Sequence, residues 1–339
     1  CCMSTKPNLN IGGTRILGKA IIAEALKEKA AITVLGLARD DTISSKVTQI
    51  IVDRKDKSAF NRFANTINSE VSPWDIVVDV ADFSKEDAQQ TYTCFKNYTK
   101  QFFILSTVLV YDRSNKYLLP LKSSHKLAKK GALGGYVDRK LDIESFWHSI
   151  DDVDWTILRP YHILSPEDSL LGCIPDHNRD PRLIERIQRG ELLTLCKGGE
   201  IELNFIDAHD IASIILRAAG NKKTFHKAYN AVNPAVIKAI HYYELIAQQL
   251  HIKLKIRSKS IQEIWQENAG WQLTTLPHVY DISDLRKDTG FMPRISIEAS
   301  IKRAVKAYRP LNKSVAEIPV HQRMTLLPRP KPINWLLED

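Results

Sequence analysis

A tyrosine and a lysine four residues apart form the chemically most suggestive pair in this 339-residue sequence. Tyr136 and Lys140 lie in a segment with helical apolar spacing, so both side chains fall on one helix face. At ~4 Å and an effective dielectric of about 20, a phenolate and an ammonium attract each other by roughly 4 kcal/mol. Such a lysine lowers the pKa of the phenol, and the tyrosine can then act as a general acid or base. Because an ordinary amphipathic helix has the same spacing, the neighbouring motifs decide between the two interpretations.

A glycine-rich turn near the start of the sequence is the first of these motifs. It follows a short apolar segment, residues 9–11, and it precedes an apolar-periodic helix and a β-branched strand at 31–35. A strand, a glycine turn and a helix in this order predict a dinucleotide phosphate cradle, because the backbone can approach the pyrophosphate and the helix N-terminus faces it. The turn consists of Gly12, Gly13, Thr14, Arg15, Ile16, Leu17 and Gly18.

The end of the second strand indicates which cofactor is bound. An acid there would suit the ribose hydroxyls of NAD, whereas an arginine suits the 2′-phosphate of NADP. The sequence there is Gly36, Leu37, Ala38 and Arg39, and Arg15 supplies a second cation from the glycine turn. Guanidinium groups match phosphate geometry well. The sequence therefore predicts NADP(H) in preference to NAD(H). The simpler interpretation is that both arginines are surface residues, and the acids Asp40 and Asp41 directly after Arg39 leave it open.

Strands and helices alternate through the first half of the sequence. We predict strands at 49–52, 75–81 and 101–111, and helices at 58–69 and 84–98. This alternation predicts an α/β fold with a doubly wound parallel sheet of the Rossmann type. Asp53, residues 79–82, Ser106 and Thr107 follow strands, and ligands of such sheets bind at the carboxyl ends of the strands.

The second half of the sequence predicts a smaller α/β lobe. Helices are expected at 181–189, 210–219, 238–250 and 297–308, with short strands at 191–195 and 253–257. We therefore divide the sequence into a dinucleotide-binding domain at 3–160, with a return segment near 204–220, and an interleaved substrate-binding lobe at 161–309. Residues 310–339 contain five prolines and predict an extended tail that packs on its own subunit.

Composition excludes several classes of protein. The sequence is 44% hydrophobic and 26% charged, and it has no apolar run long enough to span a bilayer. Its cysteines show neither metal spacing nor a disulfide framework, which favours a cytoplasmic location, and no metal is expected. The net charge is +9, and the densest lysine cluster lies at 122–130. A solvated loop is the simpler interpretation of that cluster, so binding of nucleic acid is not expected.

Several motifs together resemble the short-chain dehydrogenase/reductase superfamily, in its extended branch, and are similar to NAD-dependent epimerase/dehydratase proteins. The resemblance covers residues 11–309. It rests on the glycine turn, on the Tyr136/Lys140 pair and on three further segments, namely residues 104–111, Leu158-Arg159-Pro160, and residues 204–212.

This resemblance implies a role for particular residues. Thr107 resembles the hydroxyl that binds the substrate oxygen, Tyr136 the general acid/base, and Lys140 the residue that binds the nicotinamide ribose and lowers the tyrosine pKa. The implied cofactor-binding residues are Gly12, Thr14, Arg15, Ile16, Leu17, Gly18, Arg39, Asp53, Arg54, Val80, Ala81 and Lys140. The residues implied to line the substrate pocket are Thr107, Tyr136, Tyr161 and His162.

The expected activity is NADP(H)-dependent reduction of a carbonyl, imine or enone of a small organic substrate, with tyrosine as proton donor. Epimerase or dehydratase chemistry with tightly bound NAD(H) is the alternative, and a homodimer is a family-level expectation. Related sugar-nucleotide enzymes usually carry an Arg-Asp pair where this sequence has Leu203-Asn204, which argues against a sugar-nucleotide substrate.

Arg15 and the lysines at 122–130 motivate a third possibility, an RNA-binding protein similar to the chloroplast stem-loop-binding proteins. A catalytically silent scaffold is the fourth.

Overall fold

The computed structural model describes residues 7–13, 15–70, 73–114, 117–166, 170–175 and 179–309. Thr14 and the proline-rich segment 310–339 therefore lie outside the described residues. Within these ranges the strands are β1 (Pro7–Ile11), β2 (Ala31–Gly36), β3 (Thr48–Ile51), β4 (Ile76–Asp79), β5 (Gln101–Leu105), β6 (Asp154–Pro160), β7 (His162–Leu164), β8 (Leu192–Cys196), β9 (Glu202–Leu203), β10 (Phe205–Asp207), β11 (Lys227–Ala231), β12 (Ile237–Lys238) and β13 (Lys255–Lys259).

The helices connect these strands, and at least four of those described begin after a capping side chain, namely Ser84, Asp207, Ser260 or Ser296. Ser84, for example, accepts a hydrogen bond from the backbone N–H of Asp87 at the start of the third helix. The helices are α1 (Ile16–Lys27), α2 (Lys57–Glu70), α3 (Lys85–Phe95), α4 (Gly135–His148), α5 (Leu183–Gln188), α6 (Ala208–Ala218), α7 (Ala239–Leu250), α8 (Ile261–Glu267), α9 (Ser283–Thr289) and α10 (Ile297–Ala307).

Seven parallel strands form the central sheet, in the order β11-β6-β5-β4-β1-β2-β3. The order reverses direction between β1 and β4, where Asn10 of β1 is paired with Val78 of β4. Open α/β sheets bind ligands at such a switch point, outside the carboxyl ends of the strands. The predicted Rossmann-type fold is therefore confirmed, and the glycine turn after β1 lies at the expected position.

Helices cover both faces of the sheet, as the apolar strand sequences require. On one face, apolar residues of α1 and α6 pack on β4 and β5, with Ile21 and Ile211 at the centre. On the other face, α2, α3 and α4 bury Phe60, Phe95 and Trp147 against the strands. The helix that carries Tyr136 and Lys140 is thus anchored to the sheet, because α4 places Trp147 in this core.

A second core holds the smaller lobe together. It joins β7, β8, α5, α7 and α10 through buried residues such as Leu193, Tyr243 and Ile301. The chain passes back to the large sheet through α6, which packs on α1, and through β11 at the edge beside β6. The smaller lobe is therefore built largely from segments that follow β6 in the chain.

One element differs from the sequence prediction in length. The predicted strand at 101–111 ends at Leu105, and a short 3-10 helix follows at Val108–Val110. The cause is local, because the Thr107 side chain accepts a hydrogen bond from the Leu109 backbone N–H and caps that turn. The strand therefore stops where Thr107 can turn toward α4 rather than continue in the sheet.

Candidate active site at the carboxyl ends of the parallel strands

The glycine turn between β1 and α1 is shaped by close contacts that leave no room for side chains. A Cβ atom on Gly12 would lie 2.6 Å from the Cβ of Ala81, and one on Gly18 would lie 2.3 Å from the Cα of Gly13. Gly12 also has a φ of +85°, in the left-handed region that favours glycine. The turn is therefore a tight cradle, of the kind a pyrophosphate requires.

The N-terminus of α1 follows this turn, and the first backbone N–H groups of a helix have no partner within the helix itself. Arg15 occupies the N-cap position without a side-chain capping bond, and the first N–H bonded inside the helix is that of Lys19, 2.9 Å from the Arg15 oxygen. Unpaired N–H groups and the helix dipole together favour an anion. The described part of the turn therefore fits the phosphates of a dinucleotide, and Ile16 and Leu17 pack beneath it.

The loop after β4 forms the second wall of the cradle, and Arg54 holds it in place. The Arg54 guanidinium donates to both Asp79 carboxylate oxygens at 3.1 Å and to the Ala81 carbonyl at 2.8 Å. Asp79 in turn accepts the Thr91 hydroxyl at 2.6 Å. The structure thus places Arg54 under the Val80–Ala81 backbone, as a support for the predicted cofactor-lining residues.

Tyr136 and Thr107 come together from two different elements. Tyr136 lies in the first turn of α4 and packs beside Val110, Leu273 and Leu276. Thr107 lies two residues beyond β5 and is 5% exposed, and its side chain interacts with the phenol of Tyr136 and lowers the pKa of that phenol. The phenol and the hydroxyl are therefore adjacent at the carboxyl edge of the sheet, where a substrate oxygen could contact both.

The pKa of Tyr136 is raised above its ordinary value in this structure, whereas the family resemblance predicts that Lys140 lowers it. Burial disfavours the phenolate and is the largest cause, while the Thr107 hydrogen bond and the nearby Arg139 charge oppose it. Lys140 instead directs its amine to the carbonyl oxygens of Asp82 and Leu105, at 2.6 and 2.7 Å. Tyr136 is consequently a protonated phenol at neutral pH, suited to donate a proton.

The predicted cofactor-selecting residues lie on the surface around the cradle. Arg15 is exposed, and Arg39 is exposed with its Nε 3.2 Å from an Asp41 oxygen. Asp40 is bound to Lys19 at 2.8 Å, which together with bonds from Thr42 lowers the Asp40 pKa to about 2. Asp40 is thus engaged by α1, and the acid that pairs with Arg39 among the described residues, Asp41, is exposed.

Three further predicted residues lie in different environments. Asp53 is exposed beyond β3 and accepts the Lys55 backbone N–H at 2.8 Å, as in a turn. On the predicted substrate side, Tyr161 connects β6 to β7 and His162 begins β7, with their rings 3.7 Å apart. The Tyr161 ring also stacks on His278 of the smaller lobe at 4.1 Å. Tyr161 and His162 therefore lie where the two lobes meet.

The lysine cluster at 122–130, metal binding and membrane spanning are the remaining features predicted or excluded from the sequence. Lys126 and Lys130 pair with Asp112 and Asp142, at 3.5 and 2.7 Å, so half of the lysine cluster at 122–130 is neutralised. In the described ranges no group of three or more histidine, cysteine, aspartate or glutamate residues could hold a metal ion. No helix in the described part of the chain is long and apolar enough to cross a membrane.

The fold and this site define a family. The chain belongs to the NAD dependent epimerase/dehydratase family, whose model matches residues 9–231. This match, together with solved structures of the short-chain dehydrogenase/reductase superfamily, confirms the predicted resemblance. No curated protein matches the sequence.

Solved structures with the same fold include enzymes with bound nucleotides. UDP-glucose 4-epimerase from Thermotoga maritima, solved with UDP-glucose, has a TM-score of 0.71 at 14% identity and covers 89% of this chain and 98% of its own. WbmG from Bordetella bronchiseptica, solved with NAD and UDP, has a TM-score of 0.70 at 15% identity and covers 90% and 95%. RMD from Pseudomonas aeruginosa, solved with NADPH, has a TM-score of 0.64 at 16% identity and covers 90% and 99%. These similarities establish the fold.

Sequence reasoning missed two buried acids on the site. Glu144 lies one helical turn beyond Lys140 and binds Arg159, and Asp82 lies beside Lys140 with a fully buried carboxyl group. The four-residue spacing of Tyr136, Lys140 and Glu144 on one helix face was a usable signal for Glu144. Asp82 was visible only as one of several acids after β4, and nothing in the sequence indicates its burial.

Proposed function

We propose that this protein is an NADP(H)-dependent oxidoreductase that reduces a carbonyl, imine or enone of a small organic substrate. The observation that carries the proposal is the position of Tyr136 in the first turn of α4, beside Thr107 at the end of β5. A phenol that stays protonated at neutral pH is a proton donor, which is the group that reduction of a carbonyl needs. When bound, the nicotinamide supplies the hydride.

Each candidate site residue has a defined role in this proposal. Tyr136 donates its proton to the developing oxyanion of the substrate, and Thr107 orients the oxygen and the phenol. Lys140, by the family resemblance, binds the ribose next to the nicotinamide. The tight turn at Gly12 and Gly18 and the first N–H groups of α1 hold the pyrophosphate. The chain would thus place hydride donor and proton donor at the same oxygen.

Preference for NADP(H) is supported by the charges at the ribose end of the cradle. β2 ends at Gly36, and the next residue is Leu37, which is 73% exposed. The apolar side chain of Leu37 cannot accept hydrogen bonds from ribose hydroxyls. Arg15 and Arg39 are both exposed beside this point of the sheet. A 2′-phosphate is a dianion that two guanidinium groups can bind through several charge-assisted hydrogen bonds.

The class of substrate is indicated by the smaller lobe. Asn204 occupies the position where related sugar-nucleotide enzymes usually carry an arginine-aspartate pair, and its side chain is used internally. Its amide donates to the Ala235 carbonyl at 3.0 Å and its oxygen accepts the Tyr280 N–H at 2.7 Å. Tyr161 and His162 offer aromatic surface instead. This environment suits a small organic substrate better than a sugar nucleotide.

The test is stoichiometric consumption of NADPH with a panel of aldehydes, ketones, imines and enones, followed by nicotinamide absorbance. The wild-type protein should oxidise one NADPH per product formed. Tyr136→Phe should lower kcat by about 100-fold or more while the Kd for NADPH stays unchanged, because only the proton donor is lost. A Tyr136→Phe variant with wild-type kcat on the best substrate would exclude Tyr136 as the donor.

Epimerase or dehydratase chemistry is the second candidate, and the match of residues 9–231 to the epimerase/dehydratase family favours it. Such an enzyme would oxidise and reduce its substrate in one cycle, so added cofactor would not be consumed. The protein would also retain NAD(H) through purification. Finding bound dinucleotide in the purified protein, together with turnover without net NADPH oxidation, would select this candidate over the reductase.

A further inference from the structure

One buried ion pair binds both hydrogen-bonding groups of the Ala81 backbone. Ala81 lies in the loop after β4, and the Asp79 carboxylate accepts its N–H at 3.0 Å. The Arg54 guanidinium, which donates to that carboxylate, also donates to the Ala81 carbonyl at 2.8 Å. Backbone groups are most often paired within a sheet or a helix. The position of Ala81, in contrast, depends on two side chains that bind each other.

Ala81 is the residue of this loop that closes against the glycine turn. A Cβ atom on Gly12 would lie 2.6 Å from the Cβ of Ala81 and 3.2 Å from its backbone nitrogen. Gly12 and Ala81 therefore face each other across the cradle with no space between them for a further atom. Because β1 and β4 are neighbours in the sheet, a displacement of Ala81 would change the width of the cradle directly.

Arg54 is itself held in place by the helix that follows the loop. Its Nη2 donates to the Asp87 carbonyl at 2.8 Å and to the Thr91 hydroxyl at 3.0 Å, both in α3. The Thr91 hydroxyl in turn donates to Asp79 at 2.6 Å. The Arg54 side chain is 12% exposed, so water competes little for these bonds. The ion pair is thus fixed to α3 on the side away from Ala81.

The terminal nitrogens of Arg54 are fully engaged by these partners. Nη1 donates to Asp79 and to Ala81, and Nη2 donates to Asp87 and to Thr91. Each terminal nitrogen of a guanidinium carries two N–H groups, so the four groups have acceptors within the protein. The family resemblance implies that Arg54 binds the cofactor directly. A phosphate could accept a bond from these groups only after one of the internal bonds had broken.

We propose that Arg54 and Asp79 are positioning residues that hold Ala81 against Gly12 and thereby set the affinity for the dinucleotide without contacting it. The wall of the cradle is already ordered before the ligand arrives, so binding does not have to order it. The inference rests on the proposed function in that the ligand of the cradle is a dinucleotide. The pyrophosphate is common to NADPH and NADH, so the pair acts equally on both.

The first test measures the order of the loop without any cofactor. In the double variant Arg54→Met with Asp79→Leu both charges are removed, so no buried charge is left unpaired. Hydrogen exchange followed by NMR should show the Ala81 N–H exchanging about 10-fold faster or more, because its bond to a charged acceptor is lost. The Val80 N–H, which donates to the Ile11 carbonyl of β1 at 3.1 Å, is the internal reference and should not change. An unchanged Ala81 exchange rate overturns the proposal.

The second test measures binding, by nicotinamide fluorescence with NADPH and NADH, at a temperature where circular dichroism shows each variant to be folded. The affinity of the double variant for both dinucleotides should fall by the same factor, about 10-fold or more. Arg54→Lys should show a smaller loss, because one ammonium cannot donate to Ala81 and to α3 together, and it carries both tests if the double variant does not fold. Arg62→Met, which removes an exposed arginine of α2, is the control and should bind as wild type does.

The outcomes separate this inference from the proposed function. A purely structural role of the pair would leave the Kd of the folded variants unchanged, and a direct contact with the 2′-phosphate would weaken NADPH alone. Either result overturns the inference while the proposed function stands. If the wild-type protein binds neither dinucleotide, the proposed function fails and the role of the pair in binding fails with it. Hydrogen exchange of the cofactor-free protein still decides in that case whether Arg54 and Asp79 hold Ala81.

Discussion

The buried guanidinium of Arg159 binds the carboxylate of Glu144 through two hydrogen bonds, at 2.6 and 2.9 Å. This pair joins β6 to α4, the helix that also carries Tyr136 and Lys140. Arg159 further donates to the hydroxyl of Tyr111 at 3.1 Å and to the Ser123 carbonyl at 3.0 Å. The helix that carries Tyr136 is therefore fixed to the sheet two turns beyond the tyrosine by a buried ion pair.

Breaking this pair should destabilise the protein strongly. In Glu144→Gln the buried Arg159 charge loses its partner, and such a loss costs about 3–5 kcal/mol of unfolding free energy. Asp142→Asn is the matched control, because Asp142 lies on the same helix but forms an exposed ion pair with Lys130, and such pairs contribute at most about 1 kcal/mol. Urea unfolding measures both variants. Equal loss in the two would show that the buried pair does not hold α4.

Replacing Gly18 of the glycine cradle with alanine should have two opposing effects on stability, a gain in helix propensity and a loss from steric overlap. Gly18→Ala would favour the helix by about 1 kcal/mol, but the new Cβ would lie 2.3 Å from the Gly13 backbone, and overpacking costs about 1–3 kcal/mol. We expect lower stability and weaker dinucleotide binding, measured by unfolding and by nicotinamide fluorescence. Gly220→Ala is the control, because its added Cβ meets nothing within 4 Å. It should retain wild-type dinucleotide affinity, although its φ of +72° costs some stability.

Tyr136 should ionise only in strongly alkaline solution. Its folded-state pKa is raised above the unfolded value of about 10. The stability that the protonated phenol contributes is therefore present below that value and is lost as pH rises through the folded pKa. The reductive rate should stay level through neutral pH and fall only in this alkaline range. Ultraviolet difference spectra of wild type minus Tyr136→Phe measure the ionisation, and a phenol that titrates near pH 7 would contradict the proton-donor role.

Thr107 should influence the pKa of the Tyr136 phenol. Its hydrogen bond lowers the pKa of Tyr136, against the larger effect of burial. Thr107→Val, which removes the hydroxyl at nearly equal volume, should raise the tyrosine pKa further and lower kcat by about 10-fold or more. Thr107→Ser keeps the hydroxyl and should restore both the pKa and most of the activity. A Val variant with an unchanged tyrosine titration would remove Thr107 from the site.

The local pattern of the sequence determines much of what the structure contains. The glycine turn, the alternating strands and helices and the Tyr136/Lys140 spacing each depend on neighbouring residues, so they could be predicted and placed at the carboxyl edge of the sheet. Arg159 was recognised as part of a motif. The spacing of Glu144 places it on the same helix face as Lys140, but its pairing with Arg159 depends on how α4 lies against β6, which the local pattern does not encode.

The electrostatics of the site could not be predicted from spacing. The four-residue interval placed Lys140 near Tyr136, but it did not reveal that the amine would turn to the carbonyls of Asp82 and Leu105. Burial, which is a property of the whole fold, then reversed the expected direction of the tyrosine pKa. The same applies to Arg54, whose contact with Asp79 depends on β3 and β4 ending at neighbouring points of the sheet.

The most direct test is a titration of purified protein with NADPH and NADH in parallel, followed by nicotinamide fluorescence. We predict tight binding of NADPH, weaker binding of NADH, and loss of about 10-fold or more in NADPH affinity when Arg15 and Arg39 are both changed to alanine, because charge-assisted bonds to the 2′-phosphate are removed. Arg217→Ala, at an exposed position in the last turn of α6, is the control and should bind as wild type does. Absence of binding to either dinucleotide would contradict the proposed enzyme, and equal binding of both would contradict its NADP(H) preference.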